Sequence, residues 1–182
     1  MLTITDDLLA DLKLYIKEHY KLVSFPDLFP GSKKKKRDLA EKAQGARPKS
    51  FGEVSDMMSD FIKEERDYES FAFSVDKLRK AKGLSPAALY KAAWIDKRLY
   101  SKIMTTAAYR PAKNTAISFG LALRLQNDEF ADFLRNAGFA LSDSSIFDLV
   151  IRFCIEREIF DLHDVNALLL QADQKTLARE AA

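Results

Sequence analysis

Apolar residues recur along most of this chain at intervals of three and four, the period of a helix rather than the alternation of a strand. Leu8, Leu12, Tyr15, Ile16 and His19 share one face of a helix predicted from Ile4 to Tyr20, with Thr5 or Asp6 as its cap. Phe51, Val54, Met57, Met58, Phe61 and Ile62 form the stripe of a second helix, from Ser50 to about Tyr68. Its acidic groups, Glu53, Asp56, Asp60, Glu64 and Glu65, fall mostly on the other side. A short helix ends at Gly83, Ser85-Pro86 opens the next one to Ala93, and Asp96 caps another from about Lys97 to Thr106. Pro111 keeps Arg110 out of helix, and a new helix opens near Lys113 with Ala116, Ile117, Leu121 and Leu125 inward. Asn127-Asp128 caps a helix to Ala137, with Phe130, Phe133 and Leu134 inward and Gly138 as its stop. The helix from about Ser145 to Glu158 carries a band wide enough to be buried on more than one side: Ile146, Phe147, Leu149, Val150, Ile151, Phe153, Cys154 and Ile155. Asp161 caps the last helix, through Leu162, Val165, Leu168 and Leu169.

This pattern predicts an all-α fold of about eight helices, in four segments. Residues 1–50 hold the first helix and a linker, and residues 51–69 the acidic amphipathic helix. Residues 70–125 make a helical core, and residues 126–182 supply helices packed on it. The linker contains an apolar stretch broken twice by proline (VSFPDLFP), a short helix over Asp38–Gln44, and a breaker at Gly45–Ser50.

The stretch from Leu78 to Leu125 organises the rest. Leu89, Ala93, Ile95, Tyr100 and Ile103 fall where a pair of short helices needs its shared core. Lys97, Arg98, Ser101, Lys102 and Thr105 then fall together on the outer face of the second helix of that pair. A proline, a polar helix start and the run Leu121-Ala122-Leu123 follow. On these residues the stretch resembles the helix-turn-helix domain of phage repressors of the lambda repressor and Cro type. The resemblance implies that the 97–106 helix enters the major groove of double-stranded DNA. Arg98 would read guanine through its guanidinium, Lys97 and Lys102 would serve bases or phosphates, and Lys113 would meet the backbone. It also implies a two-fold dimer, for which the C-terminal helices around Phe147 and Phe153 offer a surface; a buried core explains the same residues equally well.

Two positions depart from the family's pattern. The fifth motif position, commonly small, is Tyr90; the ninth, commonly glycine because the turn needs φ > 0, is Trp94. A bulky residue is strained there, which suggests a different path for the turn. A looser resemblance covers 70–173, to a helical module at the C-terminal ends of some bacterial macro-domain and von-Willebrand-A-like proteins. Its matching words are Glu69-Ser70-Phe71, Tyr100-Ser101-Lys102-Ile103, the AGFAL of 137–141 with Ser144-Ser145, and Phe147-Asp148-Leu149. An appended module of that kind could dock a partner instead of DNA, and Tyr90, Trp94 and an outward-leaning Leu99 favour this second function class, a protein-interaction module, because exposed aromatic and apolar groups mark partner surfaces.

Charge sharpens the picture more than composition does. The net charge of +2 hides a segregation. Residues 31–50 carry 8 basic and 2 acidic groups, 51–70 carry 2 and 7, 71–125 carry 11 and 2, and 126–182 carry 5 and 11. Basic charge thus concentrates in the linker and the repressor-like core, as suits a polyanion. The run Lys33, Lys34, Lys35, Lys36 and Arg37 reads equally as a phosphate-binding arm and as a solubilising linker.

No run approaches the roughly 18 apolar residues of a membrane span, and Met1–Ala10 has no basic region of a secretory signal. A single cysteine, Cys154, excludes an internal disulfide framework. A cytoplasmic protein is the expectation. Two distant histidines, an apolar cysteine and no glycine-rich phosphate loop leave no catalytic constellation. An enzyme, a metal site and a cofactor are not expected.

Overall fold

The computed structural model describes residues 5–21, 50–64, 70–106 and 109–177. Among them the chain forms nine α-helices and no strand: α1 (Asp6–His19), α2 (Phe51–Glu64), α3 (Phe71–Ala81), α4 (Pro86–Ala92), α5 (Lys97–Thr105), α6 (Lys113–Ala122), α7 (Asn127–Asn136), α8 (Ile146–Glu156) and α9 (Leu162–Gln171). No described helix is long and apolar enough to cross a membrane. The expected helix over Asp38–Gln44 lies outside the described residues.

Short polar side chains start most of these helices by satisfying first-turn N–H groups that have no partner within the helix. The Leu8 N–H donates to Thr5 Oγ1, Phe73 to Ser70 Oγ and Ala88 to Ser85 Oγ. Arg98 donates to Asp96 Oδ1 at 2.7 Å, and Asp148 to Ser145 Oγ. His163 and Asp164 both donate to Asp161. At α7 the expected cap moves by one residue: Gln126 is the N-cap and makes no side-chain cap bond, so Asn127 is already helical.

One device ends six of the helices. After α3, α4, α6, α7, α8 and α9 a residue turns left-handed: Gly83, Trp94, Arg124, Gly138, Glu158 and Asp173. Its N–H reaches back three residues, and the next N–H reaches back five, as in Leu125 to the Gly120 carbonyl and Ile159 to the Cys154 carbonyl. This is the Schellman closure. Only two of the six positions are glycine. At the others the backbone penalty of roughly 1–2 kcal/mol is offset by two hydrogen bonds and, after α4, α6 and α8, by a buried apolar residue that follows at once: Ile95, Leu125 or Ile159.

The contacts divide the chain into two units, residues 1–21 with 69–182, and residues 22–68. In the first unit α1 packs on α8, α8 on α9 and α7, α7 on α6 and α3, and α4 and α5 on each other and on α6 and α3 respectively. One continuous core runs through it, with Leu89, Ile103, Phe119, Phe130, Leu134, Phe153 and Leu168 fully or almost fully buried. Leu12 and Tyr15 bind α1 to that core, Tyr15 standing edge-on to Phe153 at 5.4 Å. The second unit contributes α2 among the described residues.

Phe153 is therefore a core residue, and Phe147 is half-buried against the same core. Most of the wide apolar band of α8 is consumed inside the chain, because α1, α7 and α9 all pack on it.

Candidate nucleic-acid interface

Two short helices frame the candidate site. Leu89 is the buried residue of α4, and Tyr100 and Ile103 are those of α5. They hold the pair down on the core, where the Tyr100 ring lies 5.7 Å from that of Tyr90 and 6.2 Å from that of Phe119. Helical geometry then sends the intervening side chains outward. Lys97, Arg98, Ser101, Lys102 and Thr105 are all exposed and together line one shallow depression along α5.

The turn between the helices keeps the path that a glycine would allow. Trp94 has φ +50°, its N–H donates to the Lys91 carbonyl, and the Ile95 N–H donates to the Tyr90 carbonyl at 2.8 Å. The different path suggested by a tryptophan at this position is not taken. Ile95 is buried, and its anchoring holds the turn closed around the tryptophan.

The five outward side chains differ in how free they are. Lys97, Arg98 and Lys102 make no ion pair with another described residue. Lys102 places its ammonium 5.5 Å from the centre of the Tyr109 ring, a cation–π contact the sequence did not announce. The Thr105 hydroxyl donates to the Ser101 carbonyl at 2.9 Å, which leaves its lone pairs outward. On α3, by contrast, Arg79 and Lys80 both bind Asp76, at 2.6 and 2.7 Å. Lys80 and then Arg79 hold the Asp76 carboxyl below its ordinary range. Part of the basic excess of residues 71–125 is thus neutralised locally, whereas the cations of α5 are not.

Lys113 stands apart from the group. It does begin α6, whose N-cap Ala112 has no side-chain cap bond. Its ammonium, however, is 2.6 Å from Oδ2 of Asp148, a residue only 2% exposed. The same oxygen accepts the Ser142 N–H at 2.9 Å. The structure gives Lys113 this internal partner, while 30% of its side chain stays exposed. Thirty-five residues separate the two, so no local pattern reveals the pair.

Tyr90, Trp94 and Leu99 are half-buried and pack against the core rather than standing free. The basic run Lys33, Lys34, Lys35, Lys36 and Arg37 lies outside the described residues. Among the described residues no three histidine, cysteine or acidic side chains gather as a metal site. Cys154 is fully buried, and burial first, then Asp164, pushes its thiol up to about 12. His19 stacks on Tyr15 with ring centres 4.1 Å apart, and His163 lies at the surface beside Asp164.

No protein-family model matches this chain, and no curated protein or solved structure matches it significantly.

Proposed function

We propose that this chain is a cytoplasmic DNA-binding regulator of the phage-repressor type, which lays α5 in the major groove of double-stranded DNA. The observation that carries the reading is the exposed row Lys97, Arg98, Ser101, Lys102 and Thr105, with three cations that no acidic side chain among the described residues neutralises. Two short helices closed by a left-handed turn support it, because that arrangement leaves the outer face of one helix exposed, where a groove can receive it. Arg98 reads bases, since a guanidinium pairs bidentately with guanine. Lys97 and Lys102 serve bases or phosphates, and Ser101 and Thr105 complete the contact row. Asp96 caps α5 and stays a structural residue.

The test is binding of the full chain to duplex DNA fragments across a salt series. Arg98→Ala is expected to relax sequence preference at a cost of roughly 1–3 kcal/mol. Lys97→Ala is expected to make the salt slope shallower by roughly 0.9 if that ammonium meets a phosphate. Deleting Lys33–Arg37 weakens every sequence alike if the run is a phosphate-binding arm, and changes nothing if it is a linker. No affinity at about 50 mM salt, where electrostatic attraction is strong, would overturn the reading and leave partner docking in its place.

A further inference from the structure

Three cations stand on the outer face of α5, and one of them is held. Lys102 keeps its ammonium 5.5 Å from the centre of the Tyr109 ring, within the roughly 6 Å over which a ring face attracts a cation. The ring belongs to the segment that follows α5, and that segment is anchored. Tyr109 is half-buried against the core, its N–H donates to the Thr106 carbonyl at 2.9 Å, and Pro111, two residues on, is buried. Among the described residues no ring stands over Lys97 or Arg98 in this way.

We infer, resting on the reading of α5 as a groove-facing helix, that Tyr109 is a positioning residue: it holds the Lys102 ammonium ready for a phosphate oxygen of the DNA backbone, so that Lys102 clamps the backbone while Lys97 and Arg98 stay free to read bases. A carboxylate also fixes a lysine, as Asp76 fixes Lys80 at 2.7 Å, but it cancels the charge. A ring face has no net charge to cancel it with. Lys102 is therefore restrained and still cationic, with N–H donors left for an anion. Restraint matters for lysine, because its flexible stem otherwise gives up its rotamer freedom at the moment of binding. Position along the helix assigns the phosphate. A groove-reading helix meets base edges with its N-terminal residues. Lys97 and Arg98 open α5, whereas Lys102 lies roughly 6 Å beyond Arg98 along the axis and is drawn to the segment that leaves the helix. A compact ammonium also suits a phosphate as a point charge, without the fork that pairs a guanidinium with guanine.

Two measurements on the full chain test this. In proton NMR of the free protein, the ring current of Tyr109 should move the Lys102 ε-methylene upfield of the other lysines, a signal identified by its loss in Lys102→Ala. It should stay there in Tyr109→Phe and return to the common position in Tyr109→Leu, which retains apolar packing. In binding to duplex DNA fragments, Tyr109→Leu should weaken every fragment alike by roughly 2- to 5-fold, the worth of an exposed cation–π contact, and Tyr109→Phe should match the parent chain. Lys102→Ala should make the salt slope shallower by roughly 0.9, and Tyr109→Leu should cost nothing further in that background. DNA affinity without the upfield signal in the parent chain overturns the role of Tyr109 alone. So do additive losses in the double variant, which mean that Tyr109 acts through the fold or by a contact of its own, and so does a Lys102→Ala chain that relaxes preference at one base. An upfield signal with no DNA affinity at about 50 mM salt overturns the groove reading itself, and the role of Tyr109 with it.

Discussion

Gly120 shows how narrowly a single position is constrained. It lies inside α6, where glycine is ordinarily a cost relative to alanine. A Cβ there would meet the Phe130 ring at 2.5 Å from Cε2 and 2.9 Å from Cδ2. Phe130 is 1% exposed, so its packed ring must shift to admit the added methyl. Gly120→Ala is therefore expected to destabilise the fold by roughly 1–3 kcal/mol through overpacking, although it raises helix propensity. Urea unfolding measures this, and a stabilised variant would refute the close approach of α6 and α7. Trp94 teaches the opposite lesson. There a position that suits glycine takes a bulky residue, because a pair of backbone hydrogen bonds and the buried Ile95 hold the left-handed turn. Residue type alone misjudges both positions, since each is decided by what packs beside it.

Among the elements, α6 and α8 are joined by the deepest ion pair described. Asp148 is buried at the first turn of α8, where the helix dipole favours its charge, and Lys113 reaches it from the first turn of α6. Lys113 keeps 30% of its side chain in water, so it rehydrates when its partner is lost. Asp148→Ala is accordingly expected to cost roughly 2 kcal/mol, less than breaking a fully buried pair. If α5 reads DNA as proposed, the same variant frees a cation near the α6 N-terminus, and non-specific DNA affinity should rise at low salt. Unchanged stability in denaturant titrations would mean that the pair does not tie the two helices together. The starts and caps of α4, α5 and α9 follow from Ser85, Asp96 and Asp161 and were readable locally, because capping is a contact between residues two or three apart.

On the scale of the whole molecule, ion pairs at the surface set the response to acid. Arg152 holds the Asp143 carboxyl below its ordinary range, with Lys21 adding to the effect, and Asp76 is lowered by Lys80 and Arg79. Carboxyls depressed in the folded chain contribute stability that is fully present above the ordinary carboxylate pKa of about 4. That contribution is lost as pH falls through the folded values. Stability should thus be level in this respect above about pH 5 and decline below about pH 4. Asp143 is 39% exposed, so its share stays under about 1 kcal/mol, and Asp143→Asn should remove that share of the slope. Unfolding curves between those limits provide the check. Sequence by itself determined the all-helical character, most helix boundaries and the outward row on α5, because helical period and caps act within a few residues. Only the tertiary structure decided that α1 joins the unit formed by residues 69–182, that Lys113 turns to Asp148, and that Phe153 lies in the core while the face of α2 stays exposed. Those outcomes depend on contacts between residues far apart in the chain, and an apolar stripe states that it must be covered without stating by what.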